Sequence, residues 1–243
     1  MTKLAAKSIV DTSIAFSKLK PAYGEMYAYN KAIAFNIVTA GVYHAFGLRT
    51  ASDIVAGLLL DWTFNAGRIV DADITNEANV GGLLEVECSA VHGLVTGDIV
   101  TLANMNNAGH NKATRVTYVD TTKFSCDDVT YVAGAGASAG VVYAPAYLQA
   151  GSTAAGIYVA RFTIDGTAAN VNKDWKWELN IGITPTDNIV TERNSTNTLA
   201  AMSAGGLITV TVGKRLWISG KNSTDTTDYT VKNFNLNLFK ISD

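Results

Sequence analysis

The sequence predicts an all-β protein, a jelly-roll sandwich with an inserted small β-barrel module and an N-terminal arm. Two observations support this prediction. Apolar residues recur at every second position in several runs, which is the pattern of half-buried strands. Clusters of Gly, Asn, Asp and Ser separate these runs and supply turns, as in "DGTAANVNKD" and "GKNSTDTTD". Many short strands joined by such turns are typical of sandwiches and jelly rolls.

Composition limits the classes of partner. The chain has 243 residues, enough for one large or two small domains, and its formal net charge of -2 argues against nucleic-acid binding. No apolar run approaches the roughly 20 residues of a membrane-spanning helix. We therefore expect neither nucleic acid nor membrane as a partner. Two cysteines, Cys88 and Cys126, are too few for a disulfide scaffold and are expected to be free, buried thiols.

Residues 1–22 are predicted to form the arm. Lys7 and Asp11 interrupt what would be the apolar stretch of a signal peptide, so we expect synthesis in a cytoplasm. The arm combines lysines with apolar anchors, but it is too short to bury much surface alone. It should therefore become ordered only on a partner, and a disordered tail is the alternative. Its candidate contact residues are Lys3, Lys7, Ile14, Phe16 and Lys18.

The jelly-roll domain is predicted to be discontinuous, formed by residues 23–83 and 144–243. Four of its segments alternate clearly, namely "GLLLDWTF", "GIYVARFTIDG", "WKWELNIGI" and "VKNFNLNLFKI". The first is expected to be one strand that places Leu58, Leu60, Trp62 and Phe64 on the same face. Three of the four tryptophans lie in these segments, which favours core packing over stacking on a sugar.

The insert, residues 84–143, contains strand-like runs joined by short turns. A His-Gly-Leu-x-Thr-Gly-Asp turn and a Val-x-x-Val-Asp-x-x-x-Phe strand are formed by His92, Gly93, Leu94, Thr96, Gly97 and Asp98, then Val116, Val119, Asp120 and Phe124. This pattern resembles the small β-barrel module that recurs in bacteriophage virion proteins, and it is similar to the first catalytic-cysteine half-domain of ubiquitin-activating enzymes. In phage proteins the module contributes no catalytic residue. The resemblance therefore implies a structural insert rather than a catalytic loop.

Three C-terminal segments resemble the trimeric jelly roll of tumour-necrosis-factor-like and complement-like globular heads. They are "GIYVARFTI", "AAMSAGGLITVTVGKRLWISGKNS" and "DYTVKNFNLNLF", which follow one another in the order found in that family. The resemblance implies a homotrimer with the closing strand near the threefold axis. Its candidate axis residues are Asn233, Asn235 and Asn237. A solvent-facing polar stripe on an edge strand explains these three residues equally well.

No residues in the sequence indicate a metal, a cofactor or a catalytic centre. His92 lies in a turn with no second His or Cys at ligand spacing, and His44 and His110 have less local support still. The acids of "DADITNE", residues 71–77, lack the Gly and the spacing of a calcium loop. The tract Gly134–Gly140 lacks the Lys-Ser/Thr of a phosphate-binding loop, so a flexible linker explains it better.

These features predict a non-enzymatic bacteriophage virion protein, a capsid decoration or cement homotrimer that binds the major capsid protein between capsomers. A trimer matches the threefold and pseudo-threefold positions of an icosahedral lattice. Its expected location is the virion, after synthesis in the host cytoplasm. The alternative is a tail-fibre or receptor-binding head that recognises a host surface glycan or protein through loops. A glycan-cleaving enzyme would need a carboxylate pair about 5–9 Å apart, and the acids here are scattered.

Overall fold

The structure, a computed structural model, describes residues 22–37, 40–47, 54–65, 69–70, 74–133, 140–182, 184–195 and 199–243. Within these residues the strands are β1 (Tyr23–Ala28), β2 (Ile33–Phe35), β3 (His44–Ala45), β4 (Val55–Leu60), β5 (Trp62–Asn65), β6 (Ile69–Val70), β7 (Ile74–Val80), β8 (Leu83–Cys88), β9 (Ile99–Ala103), β10 (Ala113–Tyr118), β11 (Lys123–Thr130), β12 (Val141–Tyr143), β13 (Tyr147–Ala150), β14 (Gly156–Ala168), β15 (Lys173–Ile181), β16 (Thr184–Ser195), β17 (Leu199–Val210), β18 (Arg215–Asn222) and β19 (Tyr229–Ser242).

A short 3₁₀ helix, Ala108–His110, lies between β9 and β10. None of the described residues belongs to a helix with the length and hydrophobicity needed to cross a membrane. The predicted arm falls outside the described residues except for Ala22, and so do its candidate contact residues Lys3, Lys7, Ile14, Phe16 and Lys18.

Two antiparallel sheets form the larger part of the fold. Sheet A has the strand order β17–β14–β19–β1–β4, and β2 also pairs with β19. Sheet B has the order β16–β15–β18–β13–β5, and β3 also pairs with β18. From β13 to β19 the chain changes sheet at every step except the β15–β16 hairpin. This topology is an all-β jelly-roll sandwich, and the predicted fold class is confirmed.

The inner faces of sheets A and B bury one apolar core. Alternate residues of three strands enter it: Tyr158, Ala160, Phe162 and Ile164 from β14, Trp175, Trp177 and Leu179 from β15, and Phe234, Leu236 and Leu238 from β19. The ring of Trp177 lies 4.6 Å from that of Phe35 and 5.8 Å from that of Tyr229, measured between centroids. The predicted alternation of these three strands is confirmed, and so is the core position of Trp62.

The segment "GLLLDWTF" forms two strands rather than one. Asp61 has a φ of 60°, a left-handed conformation that Asp tolerates better than most residues. Its carboxylate accepts hydrogen bonds from the N–H and the hydroxyl of Thr153 at 2.6 and 2.5 Å. At this corner β4 ends in sheet A and β5 begins in sheet B. The prediction of one common face is therefore wrong, because Leu58 and Leu60 are exposed whereas Trp62 is buried.

The insert forms a seven-stranded antiparallel sheet of its own, with the order β6–β12–β9–β10–β11–β8–β7. The N–H of Ile74, at the start of β7, donates to the carbonyl oxygen of Gly140, next to β12, at 3.1 Å. This bond links the last strand of the order to the segment beside the second strand, around a separate core that includes Val86, Leu102, Val116, Phe124 and Val142. Strands β6 and β7 precede Leu84, so this sheet begins before the predicted insert does.

The module interrupts a hairpin of sheet B. Strands β5 and β13 are neighbours in that sheet, and Asn65 pairs with Tyr147. The chain therefore leaves the sandwich and re-enters it at two adjacent positions. Polar contacts connect the two parts: Asp98 of the module forms an ion pair with Arg215 of β18. The Nδ2 of Asn36 also donates to the hydroxyl of Tyr143 at 3.1 Å.

Cys88 and Cys126 are free and buried in the core of the module, as predicted. Burial raises the pKa of Cys88 to about 11, and it also raises the pKa of Cys126. Both thiols therefore stay protonated at neutral pH and pack as small apolar residues.

Replacing residues 66–144 by a linker of about three residues should leave the sandwich folded. With Pro145 and Ala146 the linker makes a loop of about five residues, a common hairpin length, between positions that already lie side by side. Thermal unfolding followed by circular dichroism should show one cooperative transition, at a lower midpoint because Arg215 loses Asp98. A second deletion with a linker of about ten residues controls for strain. Loss of cooperativity with both linkers would contradict the prediction.

Stability should also depend on the protonation of His44. This side chain is buried, and burial lowers its pKa to about 4, an effect only partly offset by its hydrogen bond to the Val42 carbonyl. The unfolded chain, with a histidine pKa of 6.5, takes up a proton that the folded chain excludes. The free energy of unfolding should therefore be highest above pH 6.5. It should fall by up to about 3 kcal/mol as the pH drops towards 4.

Urea unfolding at several pH values checks this, with His44→Gln as the comparison. The variant should lose part of the pH dependence between 6.5 and 4, because its side chain does not titrate. The same slope in both proteins would show that His44 is not responsible.

Candidate assembly surface

The outer face of sheet A carries the predicted axis residues. Asn233, Asn235 and Asn237 alternate with the buried residues of β19 and point away from the core. The Nδ2 of Asn233 donates to both carboxylate oxygens of Asp165 at 2.9 and 3.1 Å, and that of Asn235 donates to Glu25 Oε1 at 3.1 Å. The Nδ2 of Asn237 donates to Oδ1 of Asn235. The three side chains line one polar stripe, whose hydrogen bonds reach Asp165 on β14 and Glu25 on β1.

The position of β19 in sheet A shows whether the stripe lies on an edge strand. The strand lies in the middle of sheet A, with β14 on one side and β1 and β2 on the other. An edge-strand location is therefore wrong. A location at a threefold axis remains a prediction, and a solvent-facing polar stripe remains its alternative.

A row of apolar side chains crosses five strands of sheet A beside the polar stripe. The strand registers place neighbouring members opposite one another, and the row runs Leu60, Tyr23, Phe239, Val159, Leu207. We call these five residues the apolar row. The exposed fractions are 62% for Leu207, 57% for Phe239, 46% for Leu60 and 43% for Val159. Contiguous apolar surface of this kind on a folded domain marks an interaction site.

The rest of the outer face extends this pattern. Ile157 on β14 and Ile241 on β19 are also exposed and enlarge the apolar end. Asn237 lies two residues along β19 from Phe239 of the apolar row. In the strand register it is opposite Glu25 of β1 on one side and opposite Arg161 of β14 on the other. The face therefore changes from apolar to polar along the strands, with an acid and a base on opposite sides of β19.

The polar side chains of the His-Gly-Leu-x-Thr-Gly-Asp turn form hydrogen bonds with backbone groups of the module. The ring of His92 is buried, and its Nδ1 accepts a hydrogen bond from the N–H of Leu94 at 3.0 Å. Its Nε2 donates a hydrogen bond to the carbonyl oxygen of Asp120 at 2.8 Å. The carboxylate of Asp98 accepts the N–H of Val95 at 3.0 Å. Because both ring nitrogens of His92 bond to backbone groups, the ring could bind a metal only by breaking the turn. These contacts support a structural role for the motif.

Glu77, at the end of the acidic run 71–77, has a structural role. The Nδ1 of His110 donates to the carboxylate of Glu77, and both side chains are buried. In the part of the chain that the structure describes, no group of three or more His, Cys, Asp or Glu is placed to hold a metal. Residues 71–73 and 134–139, which contain the other acids of that run and most of the Gly/Ala tract, lie outside that part.

Comparison with known proteins gives distant similarity to solved structures. No protein-family model and no curated protein matches this chain. Among solved structures, the chain is similar to Eiger TNF from S. frugiperda, with 12% sequence identity and a TM-score of 0.32. The similarity covers 71% of this chain and 94% of that chain. The jelly-roll assignment rests on the strand order of sheets A and B, and the resemblance to phage virion proteins remains a prediction.

Proposed function

We propose that the protein is a non-enzymatic structural protein that forms a homotrimer through the outer face of sheet A. The trimer would decorate a bacteriophage capsid by binding the major capsid protein between capsomers. The observation that supports self-association is the apolar row, which crosses five strands of sheet A and has four exposed members, Leu60, Phe239, Val159 and Leu207.

Burial of the apolar row would stabilise the association of copies. Fully removing a side chain such as Leu207 or Phe239 from water contributes about 1.5–3 kcal/mol. The polar stripe beside it already has hydrogen-bond partners within its own chain, which lowers the cost of covering it. Its side chains need no new partner from a second copy.

The charges on this face favour a cyclic arrangement. Glu25 on β1 and Arg161 on β14 lie on opposite sides of β19. In a ring, the β14 side of one copy meets the β1 side of the next, so the base of one chain approaches the acid of its neighbour. A closed threefold ring satisfies this pairing in every copy.

The arm, residues 1–22, would attach the trimer to the capsid. A threefold ring supplies three arms to a lattice position of the same symmetry, and several weak attachments on one particle act together. The lysines and the anchors Ile14 and Phe16 would make the contacts. This function requires no catalytic group, cofactor or metal.

Substituting either Leu207→Asp or Phe239→Asp should convert the trimer into monomers, because a carboxylate would be buried in the interface without a partner. Both side chains are exposed in the single chain, so far-UV circular dichroism should not change. Sedimentation velocity at micromolar concentration is the measurement. The matched control is Val80→Asp, a change at an apolar residue on the module that is also exposed, and this variant should remain trimeric. A wild-type protein that sediments as a monomer or a dimer would remove the threefold proposal.

Deleting Met1–Lys20 should leave a trimer that no longer binds capsids. Each anchor contributes about 1.5–3 kcal/mol if fully buried, and the loss is repeated in three chains, although ordering the arm offsets part of this energy. Cosedimentation with undecorated capsids measures the binding. A variant that keeps the lysines but carries Ile14→Ala and Phe16→Ala separates apolar from electrostatic attachment. If the deleted trimer binds as tightly as the full chain, the arm is not the clamp and the tail-fibre alternative is favoured.

A further inference from the structure

A cleft of about 250 Å³ lies where the module meets sheet B. The module loop 95–99 forms one wall, and β13, β18 and the turns at Gly182 and Gly213 form the other. Small-molecule sites usually measure roughly 300–1,000 Å³, so this cleft suits a ligand of about one sugar ring. The trimer and capsid contacts proposed above do not use it.

The aromatic residues of the cleft are held in position by the fold. The guanidinium carbon of Arg215 lies 4.4 Å from the ring centroid of Tyr147. The Nδ2 of Asn65 donates to the hydroxyl of Tyr147 at 2.9 Å, and the indole N–H of Trp217 donates to the carbonyl oxygen of Gly182 at 2.7 Å. Both rings are therefore oriented before a ligand enters, which reduces the entropy lost on binding.

The charged side chains that line the cleft are Asp98, Lys214 and Arg215, and together they give it a net positive charge. Arg215 is paired with Asp98 across the boundary between module and sandwich. Lys214, next to it, is exposed and forms no ion pair with any other described residue. The Nε2 of Gln149 donates to the carbonyl oxygen of Gly213 at 3.3 Å, which orients the amide with its oxygen available as an acceptor. The cleft thus offers a cation, hydrogen-bonding groups and aromatic surface within one small volume.

We propose that this cleft binds an acidic monosaccharide, a hydroxyl-rich ring that bears a carboxylate. The ammonium of Lys214 pairs with the ligand carboxylate. The Gln149 amide oxygen and the Asp98 carboxylate accept hydrogen bonds from its hydroxyls. Tyr147, with the small exposed part of Trp217, supplies apolar surface for its C–H groups. A neutral sugar lacks the group that pairs with Lys214, and a simple carboxylate lacks the ring.

Titration of the full-length protein with glucuronate, glucose and acetate tests the proposal, with binding followed by calorimetry and by ligand-observed NMR. Glucuronate should bind about tenfold or more tightly than either glucose or acetate, since one charge-assisted hydrogen bond accounts for a factor of that size. Lys214→Gln should weaken glucuronate binding by about tenfold and leave the weak glucose binding unchanged.

The matched control is Lys232→Gln, an exposed lysine on β19, which should bind glucuronate like the wild type. Both lysines are exposed, so the midpoints of thermal unfolding should equal that of the wild type. The proposal is overturned if glucuronate does not bind, if glucose or acetate binds equally well, or if Lys214→Gln has no effect. The oligomeric state is measured separately by sedimentation, so failure of the trimer and failure of this site are distinguishable.

Discussion

The sandwich depends above all on the pairing of β19 with its neighbours. This strand bonds to β14 along its length on one side and to β1 and β2 on the other. Its alternation from Asn233 to Leu238 sends Phe234, Leu236 and Leu238 into the core and the three asparagines to the outside. A slip of one residue in its register would exchange the two sets, burying amides and exposing large apolar side chains. The same backbone pairing therefore specifies both the core and the outer surface of sheet A.

The module adds a second organising constraint, because it enters and leaves sheet B on paired residues. Its core is separate from that of the sandwich, and the contacts described between the two parts are largely polar, with the Asp98–Arg215 ion pair among them. A polar boundary of this kind leaves room for a cleft, whereas two apolar faces would close tightly. The candidate ligand site therefore arises from the way in which the insertion sits on the sheet.

Local alternation of apolar residues was enough to predict β14, β15 and β19, since the burial of these strands depends on a period of two that is visible in the sequence. The corner at Asp61 was not predictable in this way, because its conformation depends on a hydrogen bond to Thr153, distant in the chain. The apolar row was missed for a related reason. Leu60 and Leu207 become parts of one surface only through the register of five strands, which no local pattern encodes. The asparagines were found, because they share one strand.

The two parts of the chain differ in how soon their strands can meet during translation. All strands of the module lie within residues 69–143, so it can fold while later segments are still on the ribosome. In the sandwich, β1 can pair with β19 only after β19 has been synthesised, and β19 follows the other strands in the chain. Once the module has folded, the segments that follow Asn65 and precede Tyr147 are already close together, because β6 pairs with β12. The insertion thereby shortens the effective loop that the nascent chain must close before sheet B can form.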